Sequence, residues 1–239
     1  MKENEVIRQL TARKSVRAFE DREIPQAVKD EIIGAAFEAP TAGNMMLYTI
    51  IDVTDRNIKQ QLSVLCDHQP FIAKAPVVLV FLADYERWFN TFVAAGMTPR
   101  KPGAGDLLLS CSDALIAAQN TVTAAQSLGV GSCYIGDILE NCEKVRTLLS
   151  LPRYTLPAAM VVYGYPTKQQ LEREKPRRFD RSHIVHANSY RSMQPEELLA
   201  MYHEQNTNES IEDFCKRKYL SGFALEMNRS ASEYLKNFR

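Results

Sequence analysis

Asp106 to Leu128, DLLLSCSDALIAAQNTVTAAQSL, is the longest helical signal in the chain. Leu108, Leu109, Ala114, Leu115, Ala117, Ala118, Val122, Ala124 and Ala125 make it apolar on most sides, which predicts a buried central helix rather than a surface one. The small side chains at 114, 117, 118 and 124 allow close approach of another layer, as a packed interior or a large subunit interface requires. Gly129 is suited to end the helix, because it tolerates the positive φ of a helix stop.

On the C-terminal side follows Gly129-Val130-Gly131-Ser132-Cys133-Tyr134-Ile135-Gly136-Asp137, a strand bracketed by glycines. Gly131 and Gly136 are expected to let backbone N–H groups reach a planar ligand, although the run does not match the dinucleotide pattern G-x-G-x-x-G. A helix over 141–149 and a strand over 157–163 come next. On the N-terminal side, β-branched and apolar runs predict strands at 48–53 and 76–83, with a helix at about 57–65 between them. Helices are expected over 4–12 and from Pro25 to about Ala39, the latter with Val28, Ile32, Ile33, Ala35, Ala36 and Phe37 as one buried stripe. The segment Cys66 to Phe71 reads as a proline-broken loop in which Gln69 could read polar ligand edges. Tyr85, Trp88, Phe89 and Phe92 recur at helical spacing and predict a packed helix face. Met97–Gly105, containing Pro99, Pro102, Gly103 and Gly105, lacks the means for regular structure and suits a lid or a dimer-contact loop. Ile184 and Val185 suggest a short strand-like piece within 183–190, and helices are expected over 195–205 and 209–235.

Composition sets wider limits. Over 239 residues, lysine plus arginine equal aspartate plus glutamate at 29 each, so no global charge draws the chain to nucleic acid or an anionic membrane. No apolar run approaches a membrane span and the polar start lacks the apolar core of a signal peptide, so a cytoplasmic location is expected. Five scattered cysteines without a C-x-x-C pair suggest reduced thiols, and the histidines have no partners for a tetrahedral site, so no metal is expected.

Against this neutral background Arg13-Lys14-Ser15-Val16-Arg17-Ala18-Phe19 stands out. Three cations so close repel one another, and an anion or paired carboxylates between them relieves the repulsion; a solvated basic face is the plainer reading. Lys175-Pro176-Arg177-Arg178 is a second cluster that could converge on the same anion. Pro40-Thr41-Ala42-Gly43-Asn44 is loop chemistry, either a close approach to a flat ligand or simply a helix-to-strand connection. Cys133 has no recognisable base partner, which favours a buried structural thiol over a nucleophile.

Taken in order, Arg13-Lys14-Ser15-x-Arg17-x-Phe19, Ala39-Pro40-Thr41, Gly129-x-Gly131, Tyr134-Ile135-Gly136 and Lys175-Pro176-Arg177 resemble the nitroreductase family of FMN enzymes. The likeness is greatest to its oxygen-insensitive nitroreductase A and flavin reductase P branch, and it continues through Leu151-Pro152 and His186-x-Asn188-x-Tyr190. The resemblance implies an α+β fold: a mixed, mainly antiparallel sheet flanked by helices, in one domain over 1–239 whose residues 190–239 form an extended helical excursion. It further implies a homodimer with FMN at the subunit interface. By the family pattern Arg13, Lys14, Ser15, Lys175 and Arg177 hold the FMN phosphate, a task suited to guanidinium forks and an ammonium. Arg17 faces the flavin ring and tunes its charge on reduction. Gln69 bonds the pyrimidine edge, Tyr134 and Ile135 lead into the backbone N–H groups of Gly136 and Asp137 at O4 and N5, and Thr41 and Ala42 come from the other subunit. No side chain acts as nucleophile: NADH or NADPH reduces FMN, and a small-molecule oxidant then takes the electrons in a ping-pong cycle.

The implied activity is that of an NAD(P)H oxidoreductase reducing nitroaromatics, quinones or flavins by two-electron transfer. The alternatives are an FMN storage, sensor or delivery protein, or a dimeric α+β protein whose basic clusters pair with carboxylates. One departure concerns the reductant. In the branch most resembled, an arginine-rich C-terminal loop is associated with the 2′-phosphate of NADPH, whereas the comparable stretch here is Gln205-Asn206-Thr207-Asn208-Glu209, which leaves the choice between NADPH and NADH open. Lys216, Arg217 and Lys218 are the nearby cations that could substitute.

Overall fold

The computed structural model describes residues 4–205 and 208–239. They divide into two compact units, Met1–Arg173 with Glu226–Arg239, and Glu174–Leu225. The first unit runs α1 (Glu5–Ala12), α2 (Gln26–Phe37), β1 (Tyr48–Asp52), α3 (Arg56–Leu65), α4 (Pro70–Lys74), β2 (Val77–Asp84), α5 (Glu86–Ala94), α6 (Ala104–Ser127), β3 (Gly131–Ile135), α7 (Cys142–Leu148), β4 (Thr155–Gly164) and α8 (Lys168–Glu172). The second contains α9 (Pro195–Gln205), α10 (Ile211–Lys218) and the start of α11 (Gly222–Leu235), whose residues from Glu226 onward belong to the first.

The sheet has the order β1-β2-β4-β3 and every pairing is antiparallel. All eight residues of β2 are buried, and strand alternation sends them to two different cores. Val78, Val80 and Leu82 join Leu62, Ile72, Val145, Tyr234 and Phe238 on one face; Val77, Leu79 and Phe81 join Ile32, Ala36, Ala114, Ala118 and Val122 on the other. Each such aliphatic or aromatic side chain contributes roughly 1.5–3 kcal/mol by leaving water. Pro157 sits inside β4, where it has no N–H to donate. The register shifts beside it, between Phe81 and Leu82 of β2, so that Ala158 falls between the partners of those two residues.

The α+β architecture and its antiparallel sheet agree with the sequence reading, and the elements that differ do so for local reasons. Helix α6 buries Ala114, Ala117, Ala118, Val122 and Ala125, while Leu108, Leu109, Leu115 and Ile116 are exposed, so its apolar surface is only half used within one chain. The expected stripe of α2 is narrower: Ile32 and Ala36 are buried but Phe37 is 60% exposed. Pro70 begins α4 instead of breaking a loop, because a helix's first position needs no N–H. Helix α5 buries no residue completely; Phe89 packs partly on the core, and the Trp88 indole donates to the Met45 carbonyl at 2.7 Å. No strand forms at 183–190; a short 3-10 turn, Arg181–His183, precedes an irregular segment. The helix expected over 209–235 is two helices, interrupted between Lys218 and Gly222.

Candidate functional site

The basic segment is laid across the end of the sheet by two glycines. The Val16 N–H donates to the Ser132 carbonyl at 2.9 Å, and Ser15 pairs with Ser132 as a parallel bridge. Val16 then fills the space above Gly131, where a Cβ would lie 2.7 Å from its Cγ2. Three residues later Phe19 covers Gly164, where a Cβ would lie 2.6 Å from the ring, and bridges Pro166. Gly131 thus lets Val16 pack closely on β3. Gly136 keeps the expected approach of a planar ligand open, since nothing lies within 4 Å of where its Cβ would be.

With Val16 turned inward, the intervening residues gather at β3. Arg17, Ser15 and Arg13 lie close enough to lower the Cys133 thiol, and the charge of Arg13 acts on Tyr134 as well. Burial pushes the Cys133 thiol up, and Arg17, Ser15 and Arg13 only partly offset this, so Cys133 is a poor nucleophile. Burial likewise raises the Tyr134 hydroxyl to about 12, against the opposing charge of Arg13. Lys14 points elsewhere: its ammonium donates to the carbonyls of Leu171, at 2.7 Å, and Arg173, at the C-terminal end of α8. Arg173 returns a bond to the Ser15 carbonyl, and the Arg17 N–H donates to Gln170 Oε1 at 3.2 Å. Gln170 and Arg173 were not singled out by sequence; the only hint was that Arg173 lies just before the second cationic cluster.

A second convergence joins Gln69 to the turn after β3. Residues Gly136–Leu139 form a 3-10 turn, and Asn141, with φ of 52°, sends its side-chain amide to the Leu65 carbonyl at 2.9 Å. Asp137 and Glu140 are close enough to raise the Cys66 thiol further after burial has done so. The Gln69 side-chain amide donates to the Cys66 carbonyl at 2.9 Å. Thr41 and Ala42 lie in the loop before β1, where the Thr41 hydroxyl and the Ala42 N–H both donate to Asp113 of α6. Lys175 and Arg177 open the second unit; Arg177 is exposed, and its carbonyl accepts from Gln205 Nε2 at 2.9 Å. Of the candidate substitutes for the missing arginines, Arg217 is paired with Glu209 and Lys216 with Glu212, each at 2.6 Å, while Asn206 and Thr207 lie outside the described residues.

Glu140 is the most perturbed acid near this turn. It is 6% exposed, its Oε1 has no hydrogen-bond partner, and burial, with Asp137, Asp67 and Glu226 around it, raises its carboxyl from 4.5 to about 7. A raised acid holds its proton in the folded state, so its stabilising contribution is complete below pH 4.5 and is lost as pH rises through about 7. Glu140→Gln keeps the neutral shape at every pH. It is expected to match wild type near pH 5 and to be more stable at pH 8 by on the order of 2–3 kcal/mol. Urea unfolding of both proteins at the two pH values measures this, and an equal difference at both would refute it.

The fold and these clusters define an α+β protein that presents cations, a hydroxyl and an open glycine turn along one strand end. The family model described as Nitroreductase family matches residues 10–165. The chain is 34% identical over 196 residues to an oxygen-insensitive NADPH nitroreductase of Salmonella typhimurium, spanning 82% of this chain and 78% of that protein. It is 31% identical over 224 residues to an FMN reductase [NAD(P)H] of Bacillus subtilis, spanning 90% and 84%. The solved structure of NfrA1 nitroreductase from B. subtilis superposes with a TM-score of 0.83 at 27% identity, covering 96% of this chain and 98% of that one. The chain belongs to the nitroreductase family. Among the described residues no helix is long and apolar enough to cross a membrane, and no three His, Cys, Asp or Glu residues are grouped to hold a metal.

Proposed function

We propose that this protein is a cytoplasmic, homodimeric FMN-dependent oxidoreductase that takes electrons from NADH or NADPH and delivers them to small-molecule oxidants such as nitroaromatics, quinones or flavins. The carrying observation is the gathering of Arg13, Ser15 and Arg17 around Cys133 and Tyr134 by a segment whose other side is locked on Gly131 and Gly164. That donor set fits FMN: cations and a hydroxyl suit a phosphate and an electron-rich ring edge, and the uncovered Gly136 admits a flat ring beside its N–H. When bound, FMN supplies the two-electron chemistry, which accords with the raised thiol of Cys133. Arg13 and Ser15 hold the phosphate. Lys14, with donors on the carbonyls of Leu171 and Arg173, contributes mainly by fixing the segment. Arg17 faces the ring, Gln69 and the Gly136 and Asp137 N–H groups read its polar edge, with Tyr134 and Ile135 placing that turn, and Thr41 and Ala42 close the site from the partner subunit.

Anaerobic stopped-flow with NADH and NADPH tests the reading directly. Bleaching of bound flavin far faster than of free FMN is the expected result; equal rates would refute an oxidoreductase. Because Arg217 and Lys216 are engaged by Glu209 and Glu212, the two nucleotides should differ little in this experiment. Arg13→Ala separates the phosphate end of the site from the ring end. It should weaken FMN binding about tenfold, as loss of a charge-assisted bond does, while holoenzyme prepared with excess FMN is reduced at the wild-type rate. Fluorescence titration of the stripped protein gives the first quantity and stopped-flow the second.

A further inference from the structure

The loop that carries Thr41 and Ala42 is held by bonds that the activity alone does not explain. Gly43, Asn44 and Met46 all have positive φ, at 56°, 57° and 48°, a conformation that side-chain-bearing residues adopt only when their surroundings impose it. Its donors converge on Asp113, which is 4% exposed on the buried face of α6. The Thr41 hydroxyl donates to Asp113 Oδ2, the Ala42 N–H to Oδ1 at 3.1 Å, and the Leu47 N–H to Oδ2 at 3.1 Å. The Thr41 oxygen in turn accepts from the Met46 N–H at 2.8 Å. The loop's acceptors are met from α5: Trp88 Nε1 donates to the Met45 carbonyl, and Arg87 Nη2 to the carbonyls of Met46 and Tyr48 at 2.6 and 2.7 Å.

We propose that Asp113 is the positioning residue of the Thr41–Ala42 flavin contact, acting from the central helix by gathering the loop's donors. The inference rests on the proposed function, in which this loop closes the partner subunit's FMN site. Two conclusions follow from the bonding. With its hydroxyl and N–H taken by Asp113, and the Thr41 and Ala42 carbonyls accepting from the Asn44 and Met45 N–H groups, the Thr41–Ala42 step meets the flavin through its methyl groups, so it shapes the site rather than supplying charge. A carboxylate that accepts three bonds also fixes where those groups sit, since losing one oxygen's charge and acceptor capacity leaves a buried N–H without a partner. Asp113 is therefore placed to link the subunit's central helix to its neighbour's cofactor.

The test compares wild type with Asp113→Asn, Thr41→Val and the double variant, each stripped and titrated with FMN, with thermal unfolding recorded on the same samples. Each single change is expected to weaken FMN binding about tenfold, and the double change no more than the larger single one, because both act through the same bonds. Effects that multiply, or a lowered Tm with wild-type FMN affinity, would show that Asp113 only stabilises the fold. If Asp113→Asn does not fold, Thr41→Ser and Thr41→Val decide: tighter FMN binding by the serine, which keeps the hydroxyl on Asp113, than by the valine, which keeps only the methyl, supports the proposal, and equal or reversed affinities overturn it. Ala42→Trp tests the underlying reading separately. If it changes neither FMN affinity nor acceptor KM, the loop does not meet the flavin and the inference falls with that reading. If it weakens binding while Asp113→Asn does not, only the role of Asp113 is lost.

Discussion

Arg17→Ala should leave FMN bound within about threefold of wild type but slow its reduction by NADH or NADPH about a hundredfold, the usual order when a preorganised donor to developing charge is removed. The reason lies in when the charge matters. The oxidised ring is neutral, so a guanidinium at its edge adds little to ground-state binding; two-electron reduction places negative charge there, and the same guanidinium then stabilises it. The structure fixes the segment here, since the Arg17 backbone N–H donates to Gln170 and its guanidinium is near enough to Cys133 to lower the thiol. Arg17→Lys keeps the charge without the planar fork and should recover part of the rate. Anaerobic stopped-flow gives the reduction rate and fluorescence titration the affinity. Equal loss of affinity in Arg13→Ala and Arg17→Ala, with unchanged reduction of what remains loaded, would mean that the two arginines do not divide the work as proposed.

Gly131→Ala and Gly164→Ala should be the most damaging single-methyl changes in the chain. At Gly131 the new Cβ would meet Val16 Cβ at 2.9 Å as well as its Cγ2 at 2.7 Å, and a Cβ cannot be moved by choosing another rotamer. The segment itself must lift from β3. At Gly164 the Phe19 Cβ lies 3.0 Å away and its ring closer still, with the same consequence one bridge further on. Overpacking of this kind costs about 1–3 kcal/mol, which lowers Tm by roughly 2–12 °C in a protein of this size. The functional loss should exceed the loss of stability, because the displaced segment carries Arg13, Ser15 and Arg17 together. Gly136→Ala provides the contrast: with nothing within 4 Å of its Cβ position it should leave Tm nearly unchanged while weakening FMN, since it obstructs only an incoming ring. Melting curves and FMN titrations of the three variants check this, and a Gly131→Ala protein that melts and binds like wild type would refute the role given to that contact.

Much of the architecture was legible because it depends on local periodicity. The apolar run of β2 and the length of α6 are visible in the sequence, and both expected spans fall within a few residues of the observed ends. The misreadings share a cause. Pro70 suggests a breaker but begins a helix, and Ile184 and Val185 suggest a strand but neither has a ladder partner, because an edge for a strand to join cannot be seen in one segment. Phe37 was placed in the core by spacing alone, although the neighbouring elements cover only the Ile32–Ala36 side of its helix.

The candidate site divides in the same way. Residue type was sufficient to mark Arg13, Ser15 and Arg17 as a cationic group with a direction, and order along the chain was sufficient to suggest the family. Tertiary structure decided what each residue is free to do. It turned Lys14 onto the carbonyls at the end of α8, gave Gly131 to Val16, and bound Thr41 and Ala42 to Asp113, which lies some seventy residues further along the chain, at separations of 72 and 71. A sequence states which donors and acceptors exist. Which of them are already spent depends on partners brought together only by folding, because hydrogen bonds and steric contacts act over a few ångströms in space, whatever the distance along the chain.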